Sequence, residues 1–139
     1  MAGSKSDVYE VDILKAVTGQ ATTILTTTPI TPYVALYTTA PTDSTAGTEV
    51  TTAGGTLYAR TSSAGKWAAP AAGSVANNAT ITFPTAGASW GTVVAFAITD
   101  NATAGAGNVL MWGDLTASKA IGIGDIAEFA ASGLTLTED

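Results

Sequence analysis

Apolar residues in this chain come in short runs, each about the length of one strand and each closed by Pro, Gly, Asn or Asp. The densest lie between residues 79 and 129: Ile81-Thr82-Phe83-Pro84, then Trp90-Gly91-Thr92-Val93-Val94-Ala95-Phe96-Ala97-Ile98, then Val109-Leu110-Met111-Trp112-Gly113-Asp114-Leu115. β-Branched and aromatic side chains between turn formers predict strands, because such side chains suit a pleated, half-buried surface. Positions 93–98 are apolar throughout. That pattern fits a strand covered on both faces, at the centre of the fold. A helix there fails on length and on its flanks, Gly91 and Asp100-Asn101.

Residues 33–38 predict the first strand. Residues 40–55 read as one long polar loop, with Pro41, Asp43-Ser44, Gly47 and Gly54-Gly55 as turn formers; a loop of that length is the first place to look for contacts. Residues 57–62 and 66–68 predict short strands broken at Ala64-Gly65, and 70–78 another loop. In 79–83, Ile81 and Phe83 share one face and Thr80 and Thr82 the other. Residues 109–115 pair back on the central strand; 119–123, 126–130 and 134–137 follow, with Leu134 and Leu136 inward and Thr135 and Thr137 outward. The predicted core is Ile81, Phe83, Phe96, Ile98, Leu110, Leu115, Phe129, Leu134 and Leu136.

One helix is predicted, over residues 6–17. Ser6 serves as N-cap, Asp7 and Glu10 suit the first turn, Lys15 the last, and Gly19 the C′ position. Tyr9, Ile13, Ala16 and Val17 make its apolar face. A helix this short must dock on something. It is expected to cover one end of its own sandwich, the alternative being a reach into a neighbouring subunit. Residues 20–32, rich in Thr with Pro29 and Pro32, read as an extended connection. The organisation is therefore a helix and extended arm over 1–32 and a β-sandwich domain over 33–139. The fold class is all-β: a single antiparallel, jelly-roll-like sandwich with one short N-terminal helix.

Composition narrows the function. The chain has 139 residues, one domain's worth. It contains no Cys and no His, which excludes disulfides and thiolate metal sites and removes the commonest general base. Lys and Arg number 5 against 11 Asp and Glu, a net charge of -6, so binding to nucleic acid through phosphates is not expected. Charged residues are only 12% of the chain, about half the usual share, beside 46% hydrophobic residues. Such a surface is either a Thr-rich wet face or one that meets other subunits, since interface cores are depleted in charge. No run approaches the roughly 20 apolar residues of a membrane span. Met1-Ala2-Gly3-Ser4-Lys5-Ser6-Asp7 lacks an apolar signal region, so synthesis in the cytoplasm and use without export are expected.

Candidate chemistry is sparse. Gly122-Ile123-Gly124-Asp125 resembles a phosphate loop but lacks the Lys-Ser/Thr ending, and reads as a turn. Asp100, Asp114 and Asp125 are carboxylates of the kind calcium takes, but they are scattered singly. Asn78-Ala79-Thr80 and Asn101-Ala102-Thr103 match the glycosylation pattern, which a Thr-rich chain meets by chance. Trp67, Trp90 and Trp112 would suit a sugar-stacking platform, or equally core and edge aromatics. A Ser–Lys dyad with Lys66 or Lys119 has nothing to position it. No catalytic, cofactor-binding or metal residue is assigned, no cofactor is expected, and neither is an enzyme.

A resemblance runs through the chain from residue 33 to 137. Tyr33-Val34-Ala35-Leu36-Tyr37-Thr38-Thr39-Ala40-Pro41, Glu49-Val50, and Gly54-Gly55 followed by Tyr58-Ala59-Arg60 resemble a family of small tailed-bacteriophage virion proteins. So do Ala79-Thr80-Ile81-Thr82-Phe83-Pro84, Trp90-Gly91-Thr92-Val93, Gly113-Asp114-Leu115 and Gly124-Asp125. Thr56-Leu57 stands where the pattern has a tighter junction between Gly and Tyr. Members are often labelled phage tail fibre proteins, and in size and acidity they resemble capsid cement and decoration proteins. The resemblance implies a virion protein on the capsid exterior, associating with itself as a homotrimer and with the major capsid protein, with no catalytic residues, no nucleic acid and no membrane. A tail-associated fibre or a glycan- or receptor-binding module is the alternative.

Overall fold

The structure, a computed structural model, describes residues 7–22, 29–42 and 44–137. Among the described residues a short helix, α1 (Asp7–Val17), precedes nine strands: β1 (Tyr33–Thr39), β2 (Thr48–Glu49), β3 (Thr61–Ser62), β4 (Ser74–Ala76), β5 (Ile81–Thr85), β6 (Gly91–Thr99), β7 (Val109–Ile121), β8 (Ile126–Phe129) and β9 (Thr135–Thr137). Every pairing is antiparallel. The main sheet runs β2-β1-β6-β7, with β3 sharing β1's outer edge with β2. Two small ribbons, β4-β9 and β5-β8, complete an all-β, sandwich-like fold with a single short helix.

The core lies between the main sheet and the ribbons. Val34 and Leu36 of β1 and Phe96 and Ile98 of β6 meet Val75, Ile81, Phe83 and Leu136 from the ribbons. An aromatic chain runs through it. Trp90 and Phe83 both contact Tyr58, and Phe129 stands edge-on to Phe83 at 6.4 Å and to Phe96 at 5.9 Å. The run at 93–98 is covered on both faces, as its all-apolar pattern predicts. Val93, Phe96 and Ile98 join the main core, while Ala95 and Ala97 join Ala35 and Tyr37 in a second cluster. Small side chains suit that second face, where each Ala of β6 opposes Ala35 or Tyr37 of β1.

Leu110 departs from the predicted core: it is 36% exposed. Ile98 opposes Met111 and Thr99 opposes Val109, so Leu110 is the extra residue of a β-bulge and turns to solvent. Leu115 and Phe129 are half-buried against the core, and the other six predicted core residues are buried. A second irregularity in β7 explains why its sequence reads as two strands. Ala95 opposes Asp114 but Val93 opposes Lys119, so the chain loops out at Leu115-Thr116-Ala117-Ser118 and then resumes pairing. Within the predicted loops, Thr48–Glu49 and Ser74–Ala76 form short strands, because each finds a partner edge on β1 or β9. Of the predicted strand at 57–62 only Thr61–Ser62 pairs.

Ser6 and the middle of the 20–32 segment lie outside the described residues. The helix ends as predicted, with Gly19 at φ +72 and the Gln20 and Gly19 amides bonding the Lys15 and Ala16 carbonyls in a Schellman turn. Its buried face is shifted from the prediction: Val17 packs against the main core as predicted, but Leu14 is the fully buried residue, Asp12 and Thr18 are buried too, Ile13 and Ala16 are half-buried, and the Tyr9 side chain lies outside the described residues. The Thr18 hydroxyl explains its place inside, since it donates back to the Leu14 carbonyl at 2.7 Å.

Candidate interaction surface

The polar interior holds the surface in shape. β2 and β3 leave a gap on the edge of β1 at Leu36. The Tyr58 hydroxyl fills it, accepting the Leu36 N–H at 3.0 Å and donating to Glu49 Oε1 at 2.9 Å. Arg60 Nε and Nη2 donate to Glu49 Oε1 and Oε2, each at 2.8 Å. Arg60 Nη1 reaches the Asn101 and Ala106 carbonyls, both at 2.8 Å, and the Gly105 N–H closes on Glu49 Oε2 at 2.8 Å. The loop at 100–108 is thereby pinned to β2, across the sheet from where it begins. Asp100 tightens the loop from within, accepting the Asn108 backbone and side-chain N–H groups, both at 2.7 Å. These contacts also hold Asp100 below the ordinary aspartate range, the Asn108 backbone N–H most of all. Burial alone would raise the Glu49 carboxyl; the Arg60, Gly105 and Tyr58 hydrogen bonds outweigh it and hold it below the usual glutamate value. Burial is also the main force pushing the Tyr58 hydroxyl far above its ordinary pKa, so it stays a neutral donor. Every acceptor of Glu49 is engaged within the fold, so the network supports loop geometry and offers little to a substrate.

Among the described residues several large apolar side chains are left outside. Val109, Leu110 and Trp112 at the start of β7 are 36–39% exposed and border an open groove of about 500 Å³ with Pro41 and Ala46 on its other side. Three larger exposures gather at one end: Leu57 at 66%, Ile123 at 77% and Ile126 at 55%. All three lie on segments tied to one turn. Gly87 N–H bonds the Thr56 carbonyl, Gly124 N–H bonds the Ala86 carbonyl, and Ile126 opposes Thr85. A Cβ on Gly87 would lie 2.5 Å from the Gly55 carbonyl oxygen, so only glycine lets these segments close up. Leu57 itself sits at φ +57, a left-handed conformation costing a non-glycine residue roughly 1–2 kcal/mol. The backbone at Leu57 thus holds a strained conformation that displays the side chain to solvent.

The three tryptophans form no platform. Trp67 and Trp90 are buried, with the Trp90 Nε1 donating to the Thr56 carbonyl at 2.8 Å, and Trp112 alone is exposed. Asp100 is spent on its own loop, Asp125 accepts the Gly122 N–H at 2.8 Å, and Asp114 lies on β7. Among the described residues no three potential metal ligands come together. The segment Gly122-Ile123-Gly124-Asp125 is a turn, as its sequence predicts, and Lys66 donates to the Thr80 carbonyl rather than to a serine. Asn78 donates to the Trp67 carbonyl, and Asn101 accepts the Thr103 N–H within its loop. No helix among the described residues is long and apolar enough to cross a membrane.

Sequence reasoning missed Glu49 and Arg60 as a pair and Leu57 as an exposed anchor. A signal existed for the first: in a chain so poor in charge, an acid and a base flanking a glycine-rich turn, with Tyr58 beside them, are candidates to meet. For Leu57 the signal was Thr56-Leu57 itself, at the point where the motif departs from the family pattern.

A family model described as podophage GP4 fiber I protein gp80 matches residues 4–137, and the chain belongs to that family of phage virion proteins. Among curated proteins none matches it.

Proposed function

We propose that this fibre-type virion protein is a non-enzymatic cement subunit: it associates with itself as a trimer, binds the outer surface of the major capsid protein lattice, and stabilises the head. The observation that carries the reading is the set of exposed apolar side chains, Leu57, Ile123 and Ile126 at one end and Val109, Leu110 and Trp112 along an edge, on a chain with only 12% charged residues. Isolated, these side chains cost solubility; against a partner they bury. A protein that binds only the assembled lattice shifts the equilibrium toward it by mass action, and its contacts resist expansion. A small sandwich-like fold with one short helix suits a compact subunit seated on a shell.

The family description, a fiber protein, favours a second reading, in which the chain is part of a tail-associated fibre and meets a receptor or glycan. Trp112, half-exposed beside its groove, would be the stacking residue. Quantitative gel analysis of purified particles separates the two. Cement is expected in amounts comparable to the major capsid protein; a small fixed number of copies per particle would overturn the cement reading.

A further inference from the structure

β7 and β8 follow one another through the turn at 122–125, yet they do not pair: β7 bonds β6, and β8 bonds β5. They splay around a cavity of about 310 Å³ floored by Leu36, Val93 and Phe129. Ile126, 55% exposed, is part of its lining, and Ile123, the most exposed large apolar residue described, sits in the turn that joins the two strands. Each strand has a partner on one edge only among the described residues, so both present a free edge to the slot.

The two walls carry opposite charge. Lys119 lines the slot from β7 and Glu128 from β8, and neither forms an ion pair among the described residues. Elsewhere a second copy would meet a chain of net charge -6. Here one lysine faces one glutamate across the slot, while Asp125, which accepts the Gly122 N–H, keeps its charge in the adjoining turn. The pattern is self-complementary: Lys119 of one copy answers Glu128 of the next, while the isoleucines lose their exposure. A foreign partner would need its own matching pair; another copy already has it.

We propose that the β7–β8 slot is the face through which copies of this chain join, with Lys119 of one copy against Glu128 of its neighbour. This rests on the self-association named above and specifies its surface. In a closed ring each subunit gives its lysine to one neighbour and its glutamate to the other.

The test uses the full chain in sedimentation velocity, with circular dichroism to confirm folding. Lys119→Glu and Glu128→Lys should each weaken self-association about tenfold or more, because like charges then face one another. The double variant Lys119→Glu/Glu128→Lys should restore it. A second measurement covers variants that fold poorly. Carbodiimide crosslinking of a mixture of isotope-labelled and unlabelled wild-type protein should join the Lys119 and Glu128 peptides in mixed-label pairs. A monomeric wild type, single variants that associate as the wild type does, a double variant that stays weakened, or links confined to same-label pairs would each overturn the proposal. None of these readouts depends on particle copy number, so the cement reading stands or falls separately.

Discussion

Arg60 grips Glu49 with both sides of its guanidinium, Nε to Oε1 and Nη2 to Oε2, each at 2.8 Å, and the two side chains are only 3% and 10% exposed. The pair joins β2, the segment before β3 and the loop at 100–108. Removing one member leaves the other buried without a counter-charge. Glu49→Ala should therefore cost about 3–5 kcal/mol in urea denaturation. Replacing both by apolar residues of similar size should cost less than either single change, since no orphan charge remains. A loss below about 1 kcal/mol for Glu49→Ala would show the pair to be solvated and dispensable.

The same pair sets an acid limit. Glu49 has a folded pKa below its unfolded one, as does Asp100, so both contribute stability that is present above the ordinary carboxylate range. That contribution is lost as pH falls below about 4.3 and through the folded values. Both groups hold the loop at 100–108, so that loop should loosen first. Protection factors of the Gly105 and Asn108 amides should drop with acid before those of β6, and Glu49→Gln should remove most of the effect at Gly105. Loop and β6 amides losing protection together would contradict this.

Tyr58→Phe keeps the ring packed against Phe83 and Trp90 but deletes the hydroxyl between Leu36 N–H and Glu49. A buried amide left without an acceptor costs about 1–3 kcal/mol. The expected loss in denaturation lies in that range, with the Leu36 amide exchanging faster. An unchanged Leu36 exchange rate would mean that another acceptor replaces the hydroxyl.

Phe96 and Leu110 should behave oppositely, although both lie in apolar runs. Phe96 is 7% exposed and packs on Phe129, so Phe96→Ala should cost about 3–5 kcal/mol. Leu110 is the bulge residue, and Leu110→Ala should stay within about 0.5 kcal/mol. Similar losses at both sites would place Leu110 in the core after all.

How far the sequence could be read depends on what each residue's placement rests on. Alternation placed Ile81, Phe83, Leu134 and Leu136 inward, because side chains of a strand must alternate. The continuous run at 93–98 marked the central strand for the same reason. Bulges defeat that logic, since one extra residue reverses the faces; Leu110 went to solvent through such a shift. Short strands such as Thr48–Glu49 exist only because β1 offers an edge, which no local pattern records. Leu14 shows the same limit in α1, where docking selected a stripe one residue away from the most apolar one. The proposed contact surface was foreshadowed by a shortage of charge, but not as positions: the segments carrying Leu57, Ile123 and Ile126 are tied together through the turn at Thr85-Ala86-Gly87.

The central claim is that this chain stabilises the head from outside. The most direct measurement is DNA release on heating, compared for intact particles, particles lacking this protein, and the latter with purified protein added back. The account predicts release at a lower temperature without the protein, recovery on its return, and unchanged adsorption to host cells. Unchanged heat stability together with lost adsorption would contradict it and assign the chain to the tail.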